Sequence, residues 1–419
     1  MNAFSALYDL YEKNAAYAGE YEADSKNVLL PVGCTTANAQ IEITLDTSSN
    51  MVKAEKVEKA DATTIIFGSE DALGRTSGPQ PFAIHDKLVY IARDYRDRFI
   101  YPDAENKKIK KTKAVIESNN FYLSGLEKWC GSPYCHKKAQ IVYNYVKNHD
   151  IVDELIQVGI IIPDIDGMID PKVKINGIKQ TDAFVRFKIL CENVNPEEII
   201  NDPDHIYDER IWLDKTLMRS YADYYLSFGG SEDLCYISGR RERTAASAAR
   251  KIRNEGDGTK LICVNGSCYY TYRGRFKESS QAYCVGCDTS QKLHNALKWI
   301  IRRQAANKHG ISRDGVCLVT WENNNCDLPA YYEDTVNLAV SDDDDEIPDV
   351  NAHANLSDAV DTAYITSQQF NRAVEGYKEK LDIGSRVYIM SLDSATPGRL
   401  AMTYFKELSG SRYLENIKN

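Results

Sequence analysis

Several features that would assign a chain to a common class are missing from these 419 residues. No apolar run reaches the about eighteen residues of a membrane-spanning helix, and the first residues lack the basic, apolar and small-residue segments of a secretory signal. We therefore expect a cytoplasmic protein with no membrane partner. The phosphate loop, dinucleotide fingerprint, nucleophile elbow and metalloprotease helix are also absent. Without a nucleophile, base or cofactor loop to name, we expect no enzyme.

Disulfide and zinc signals are weak. The eleven cysteines are an odd number in a long chain without a secretory signal, which argues against a disulfide framework. Cys263 and Cys268, together with Cys284 and Cys287, could supply four thiolates to zinc in an adaptor protein. Only the second pair has the tight spacing of a zinc knuckle. Buried or surface free cysteines are the favoured interpretation, and we expect no cofactor.

His85 and Asp86 form the one dipeptide that suggests catalysis. Some metal-dependent phosphohydrolases and nucleases bind a metal ion through such a pair. A working site needs further His and Asp ligands, and the whole chain has only seven histidines. The metal-dependent enzyme stays open as an alternative, and a structural role for the pair is favoured.

Basic residues are distributed unevenly. The chain has 51 Lys and Arg against 61 acidic residues, a net charge of −10 that disfavours contact with nucleic acid. Residues 240–313, however, contain sixteen basic and five acidic residues, a net charge of +11, whereas residues 314–371 contain thirteen acidic residues and no Lys or Arg. The first segment is suited to bind a polyanion, and the second would repel one. Two solvated faces that differ in sign are the alternative.

Arginine and aromatic residues are interleaved in the basic segment. Arg pairs bidentately with phosphate, and aromatic rings stack on bases. This pattern favours nucleic-acid binding over the alternative of tyrosines in a strand core with arginines at its solvent edge. The predicted contacts with the nucleic-acid backbone are Arg240, Arg241, Arg243, Arg250, Lys251, Arg253, Arg273 and Arg275.

A loop rich in glycine and proline is the second candidate. Residues 74–81 hold two Gly and two Pro, which excludes a regular helix or central strand. Such a loop lets backbone approach a nucleic-acid groove closely, and its polar side chains offer donors and acceptors to base edges. Many surface turns have this composition, so the loop by itself is a weak signal.

Hydrophobic periodicity predicts an α+β, multi-domain fold with mixed antiparallel β regions and intervening helical segments. We expect an N-terminal β-rich domain over residues 1–113, a mainly helical segment with a β insert over 114–230, a basic α/β unit over 231–340, and an acidic linker with a closing β/α element over 341–419. The helical predictions cover residues 3–13, 114–162, 205–227 and about 288–308. The strand predictions cover Asn27–Val32, Gln40–Leu45, Met51–Val57, Thr63–Phe67, Lys172–Lys179, Ala183–Ile189, Leu234–Ile237, Leu261–Val264, Val316–Trp321, Arg386–Leu392 and Leu400–Phe405.

The order and spacing of short motifs along nearly the whole chain resemble the large subunit of the type I-C CRISPR surveillance complex, Cascade. The motifs are the opening Ala3–Glu12, the loop Arg75–Gly78 followed by Pro81, Asp86 and Tyr90, the element Cys235–Gly239, and the closing Arg386–Asp393 and Arg399–Tyr404. Two departures stand out. Members of that family usually continue into a helical C-terminal region, which also gives rise to the small subunit, and this chain is expected to lack it. They also carry an Asn near the position of Phe82.

The resemblance implies a non-catalytic subunit that assembles with the backbone, crRNA-processing and small subunits and contacts the crRNA 5′ end. It implies recognition of the protospacer-adjacent motif in double-stranded DNA, help in opening the duplex to form an R-loop, and recruitment of the nuclease-helicase. The loop that would read the motif is represented here by Arg75, Thr76, Ser77, Gly78 and Gln80.

Overall fold

The chain separates into two compact units. The computed structural model describes residues 2–22, 27–74, 80–99, 105–191, 196–245, 248–253, 258–262, 284–306, 316–323, 384–396 and 399–418. The larger unit comprises Tyr17–Arg250 and Tyr272–Asn295, and the smaller comprises Met1–Ala16, Lys251–Thr271 and Ala296–Asn419. The four-part division expected from the sequence stays a prediction.

A four-stranded mixed sheet forms the centre of the larger unit. Its strands lie in the order β3 (Met51–Lys56), β2 (Ile41–Leu45), β8 (Phe184–Ile189) and β5 (Asp86–Lys87). β2 and β8 run parallel, and each pairs antiparallel with its outer neighbour. The two central strands are buried along almost their whole length, because packed elements cover both of their faces.

Three antiparallel strand pairs accompany this sheet. They are β1 (Cys34–Asn38) with β4 (Thr63–Phe67), β6 (Lys174–Ile175) with β7 (Ile178–Lys179), and β9 (Glu232–Leu234) with β10 (Arg241–Arg243). Asn176 and Gly177 join β6 to β7 with φ angles of 52° and 87°. Two consecutive positive φ angles are typical of a type I′ hairpin turn, for which Asn-Gly is the preferred sequence.

Helices pack around the sheets. In chain order they are α1 (Ala3–Asn14), α2 (Glu70–Leu73), α3 (Leu88–Ile91), α4 (Tyr95–Arg98), α5 (Glu105–Cys130), α6 (Lys137–Asn148), α7 (Ile151–Gln157), α8 (Pro196–Ile200), α9 (Lys215–Leu226), α10 (Cys287–Ala306) and α11 (Gly410–Lys418). In the larger unit, α5, α6, α7 and α9 contribute Trp129, Tyr145, Leu155 and Tyr225 to one hydrophobic core that also contains Phe187. Asp214 caps α9 by accepting the N–H groups of the first turn.

The smaller unit contains a three-stranded antiparallel sheet. Its strands are β11 (Cys317–Glu322), β12 (Arg386–Thr396) and β13 (Arg399–Ser409), in that order. Trp321 and Tyr388 are directly paired across β11 and β12, and Phe405 stacks on Tyr388 at 6.0 Å between ring centroids. Cross-strand aromatic pairs of this kind stabilise a sheet of long strands.

The α+β, multi-domain fold class is confirmed, and so are α1, the strands around residues 41–67, α10 and the closing strand pair. Three element predictions were wrong. Residues 27–32 form no strand beyond a single bridge at Val28, and β1 lies immediately after them. The predicted helix over 205–227 begins only at Lys215, because turns capped by aspartates occupy the first ten residues. The strand expected at 234–237 ends at Leu234, where a turn begins.

One further element prediction, the strand over Leu261–Val264, lies only partly within the described residues. Residues 261 and 262 form no strand, and the rest of the strand predicted at Leu261–Val264 lies outside the described residues. Across the stretches that the structure describes, no helix has both the length and the apolar character needed to cross a membrane.

Candidate nucleic-acid interface

The loop predicted to read DNA is anchored at both ends. On one side α2 is capped by the Ser69 side chain, and Gly74 closes the helix by donating its N–H to the Glu70 carbonyl at 3.1 Å. On the other side the Phe82 N–H donates to the Asp86 carboxylate at 2.7 Å. A Cβ atom on Gly68 would lie 2.9 Å from the Phe82 ring, so the glycine permits the close contact that joins the two ends.

The loop residues themselves fall into two groups. Arg75, Thr76, Ser77 and Gly78 lie outside the described residues, and Gln80 is exposed at the loop's C-terminal end. Phe82 is 6 % exposed and packs in a small apolar cluster with Phe184 and Ile66. The side chain at the position where an Asn was expected from the family resemblance is therefore core, and it does not face a ligand.

His85 and Asp86 are fully buried. The Asp86 carboxylate accepts the backbone N–H groups of Phe82 and Lys87, and the Nδ1 atom of His85 accepts the N–H of Phe187 at 3.2 Å. Burial, with a smaller effect from the positive charge of Arg186, lowers the pKa of His85 to about 3. The pair holds the base of the loop against the sheet, and this packing disfavours the metal-dependent hydrolase alternative.

Arg250 links the basic segment to this loop. Its Nη1 atom donates to the carbonyl oxygen of Gly74 at 3.4 Å. Gly74 immediately precedes the polar part of the loop, so the two candidate regions, whose contacting residues are 176 positions apart in sequence, meet at its N-terminal end. This contact was not foreseen from either motif alone.

The hairpin of β9 and β10 carries three of the predicted phosphate-binding arginines. Its register pairs Arg241 with Leu234 and Arg243 with Glu232. Arg240, which precedes β10, lies 3.4 Å from the Glu242 carboxylate and 3.6 Å from that of Asp288. Its charge is therefore partly neutralised by the protein itself.

Glu242 lies between these arginines and occupies the N-terminal end of α10. Its carboxylate accepts the Thr289 hydroxyl at 2.9 Å and the Ser238 hydroxyl, and a weaker bond from the Thr289 N–H. Anionic groups are stabilised at a helix N-terminus by free N–H groups and the helix dipole. A Cβ atom on Gly286 would collide with this carboxylate at 1.9 Å. Sequence analysis missed Glu242, although a single acid within an arginine run that precedes a helix was an available signal.

Arg243 is engaged inside the protein. Its Nη2 atom donates to the Tyr225 carbonyl at 3.2 Å and to the Cys287 sulfur at 3.1 Å, and its guanidinium lies 5.1 Å from the centre of the Tyr225 ring. The Tyr225 hydroxyl and the Cys287 thiol are 2.8 Å apart. These contacts place Arg243 in a structural role, although the sequence suggested a phosphate contact.

The cluster of Tyr225, Arg243 and Cys287 includes one of the four cysteines considered as zinc ligands. Burial raises the pKa of Cys287 to about 11, and its sulfur faces Tyr225 and Arg243. The electrostatic neighbours of Cys284 are instead Asp233 and Cys235. Cys263 and Cys268 lie outside the described residues. Within the stretches that are described, no three His, Cys, Asp or Glu side chains are arranged to hold a metal ion.

Arg241 differs from its two neighbours in the hairpin. Its side chain is exposed, and among the described residues it forms no ion pair. It borders a cavity of about 320 Å³ that Arg240, Glu242, Arg243 and Asp288 also line. An exposed guanidinium at such a border can bind a phosphate group.

The remaining basic candidates, Lys251, Arg253, Arg273 and Arg275, differ in their surroundings. Lys251 is partly exposed, and its φ angle of 57° is unusual for a lysine. Arg253 lies near β11, where its positive charge acts on the buried Cys317 thiol. Arg273 and Arg275 lie outside the described residues, as does the acidic stretch 342–346.

Comparison with known proteins gives one family. No curated protein matches this sequence. The sequence model of the CRISPR-associated proteins called Cas_Csd1 matches residues 7–419, which is nearly the whole chain. This match agrees with the resemblance seen in the ordered motifs, and it indicates a component of a CRISPR effector complex, in which other Cas subunits are partners. The chain belongs to the Cas_Csd1 family of CRISPR-associated proteins.

Proposed function

We propose that this chain is the DNA-interrogating large subunit of a type I-C Cascade complex, and that it recognises the protospacer-adjacent motif through the loop 74–81. The observation that carries the proposal is the contact between Arg250 and Gly74, because it brings a basic segment to the root of that loop. A protein that recognises a short motif in an intact duplex needs both a loop that enters a groove and a cationic segment that binds the backbone. Groove contacts read the short motif, and phosphate contacts position the protein on the DNA.

The anchoring of the loop supports this role. The buried Phe82 ring and the Asp86 carboxylate hold one end, and α2 with Gly74 holds the other. Side chains that read base edges must be held on a rigid base, because a displacement of about one ångström removes a hydrogen bond. In the proposed role, Arg75, Thr76, Ser77, Gly78 and Gln80 supply the donors and acceptors.

The rest of the proposed role concerns partners. The chain contacts the crRNA 5′ end, the backbone and crRNA-processing subunits and the small subunit, works in the cytoplasm, and catalyses no reaction itself. It helps to open the duplex, after which base pairing with the crRNA reads the remaining sequence. It then assists recruitment of the nuclease-helicase.

The double variant Arg75→Ala with Gln80→Ala tests the loop. The assembled crRNA-loaded complex is offered a library of duplexes that differ only beside the protospacer, and the bound fraction is sequenced. We expect the preference for one flanking motif to disappear while assembly, followed by size-exclusion chromatography, is unchanged.

Arg96→Ala is the matched control, since Arg96 is 53 % exposed and pairs with its sequence neighbour Asp97. Unchanged motif preference in the double variant would overturn the assignment of the loop. Loss of assembly with the double variant but not with the control would indicate that the loop contacts another subunit instead of DNA.

A further inference from the structure

Tyr236 is a large aromatic side chain that the fold holds in solvent. It lies in the turn that joins β9 to β10, and it is 60 % exposed. Exposed aromatic rings beside arginine residues are typical of sites that bind single-stranded nucleic acid, because every base offers a π-face for stacking. In the sequence, this turn forms part of the Cys235–Gly239 element.

Backbone hydrogen bonds fix the turn that carries this ring. The Tyr236 N–H donates to the Cys284 carbonyl at 2.9 Å, and the Cys235 N–H donates to the Arg240 carbonyl at 2.8 Å. The Gly239 N–H donates to the Cys235 carbonyl at 3.0 Å, and Gly239 has a φ angle of 69°, which glycine adopts readily. A ring on a fixed turn loses little conformational entropy when it binds, so it is preorganised for stacking.

The cation beside the turn is Arg241. In the hairpin register it stands opposite Leu234, which is itself 49 % exposed, and directly paired residues project from the same face of a hairpin. The acidic pair Asp233 and Glu242 projects from the other face, where Glu242 is bound to the end of α10. Glu232 lies at the end of the hairpin away from the turn.

We propose that the tip of this hairpin binds an unpaired nucleotide, with the Tyr236 ring stacked on the base and the Arg241 guanidinium bound to a phosphate of the same strand. The ligand class is single-stranded nucleic acid. It has two sources in the proposed function, on which this inference rests: the DNA strand displaced when the duplex opens, and an unpaired segment of crRNA. Stacking reads no sequence, so the site holds a strand without selecting it.

The test compares Tyr236→Ala, Tyr236→Phe and Tyr17→Ala in the purified full chain. Tyr17 is 63 % exposed and lies far from the basic segment in sequence, which makes it a matched control. Each variant is titrated into DNA and RNA oligonucleotides of one sequence that contain 2-aminopurine, whose fluorescence falls on stacking. The same DNA paired into a duplex serves as a third ligand.

We expect Tyr236→Ala to weaken single-strand binding about tenfold and to abolish the fluorescence loss. Tyr236→Phe, which keeps the ring, and Tyr17→Ala should behave as the unaltered chain, and duplex binding should not change. Loss of binding to DNA alone identifies the displaced strand as the ligand, and loss of binding to RNA identifies the crRNA.

Wild-type single-strand affinity and fluorescence quenching in a folded Tyr236→Ala protein would overturn the inference. So would an equal loss in Tyr17→Ala. Neither result affects the proposed function, since preference for a flanking motif is measured separately on duplexes with the assembled complex. An affinity loss in Tyr236→Ala that extends equally to duplex DNA would also contradict the stacking role, because a paired base is not available to the ring.

Discussion

Arginines in two regions of the larger unit have opposite surroundings. Arg186, on the central strand β8, is 1 % exposed. It binds the carboxylates of Glu42 at 2.7 Å and Asp61 at 2.6 Å, and its guanidinium lies 4.0 Å from the centre of the Trp212 ring. Arg241, on the outer hairpin, belongs to the most basic segment of the chain and is exposed.

The difference between these regions shows that local charge density does not identify a binding cation. A guanidinium whose hydrogen bonds are satisfied inside the protein is costly to withdraw and is not available to phosphate. Arg243, two residues from Arg241 on the same strand, is also engaged inside the protein, since its Nη2 atom donates to the Tyr225 carbonyl and the Cys287 sulfur. Counting partners in the structure therefore separates structural from binding arginines, which counting charges in the sequence cannot do.

Replacement of Arg186 by alanine should have the largest effect. It removes a buried cationic partner of Glu42 and Asp61 and leaves a cavity against Trp212, so the free energy of unfolding should fall by about 3 to 5 kcal/mol, measured by urea denaturation. The control is Arg219→Ala, since Arg219 is 60 % exposed and its pair with Asp204 should contribute less than about 1 kcal/mol. Equal losses in the two variants would contradict the comparison.

Arg243→Ala should destabilise the protein by about 2 to 3 kcal/mol, because charged hydrogen bonds to Tyr225 and Cys287 are lost from a partly buried site. Arg243→Lys should not restore stability, since one ammonium group cannot reproduce the planar fork of the guanidinium. Urea denaturation measures both variants. Unchanged stability together with weaker DNA binding would return Arg243 to the set of phosphate contacts.

His85, which stacks near Phe67 and Phe187 in the buried region, should make stability depend on pH. Its folded-state pKa of about 3 lies below the ordinary value of 6.5, so the unfolded chain takes up a proton first as the pH falls. The contribution of His85 to the free energy of unfolding is complete above pH 6.5. Between pH 6.5 and 3 it should decrease by about 1.4 kcal/mol for each unit by which the pH falls.

The variant His85→Asn isolates this contribution, because its amide oxygen can still accept the Phe187 N–H. The difference in unfolding free energy between variant and wild type should shrink as the pH falls from 7.5 to 4.5. A difference that is constant across this range would show that His85 is not the group responsible.

Arg241→Ala should have the smallest effect on stability and a clear effect on binding. We expect less than about 0.5 kcal/mol of destabilisation, because the side chain has no ion pair within the described residues. The slope of log affinity against log salt for a single-stranded oligonucleotide of any sequence should become shallower by roughly 0.7. Arg219→Ala is again the control, and an unchanged slope in Arg241→Ala would exclude this phosphate contact.

Much of the fold was predictable from local patterns. The strands β2 and β4 follow segments rich in β-branched residues, the turn at Asn176 and Gly177 has the sequence of its backbone type, and α10 follows an apolar stripe of helical period. β1 was missed because Cys34–Asn38 is rich in small and polar residues, and it is a strand because β4 pairs with it. The early start predicted for α9 failed because aspartates at 202 and 208 bond to the backbone as turns.

The sequence by itself determined the family, the class of fold and the two regions from which a nucleic-acid interface is proposed, because these depend on the order of motifs, on periodicity and on charge counted along the chain. Only the tertiary structure decided which of these side chains are buried, which are engaged and which are exposed. In the folded protein Phe82 and His85 are buried, and Arg243 donates hydrogen bonds to groups inside the protein. Arg250 contacts Gly74, and Tyr236 and Arg241 are exposed. The reason is physical: availability depends on partners that are distant in sequence, and those partners are brought close only when the core forms.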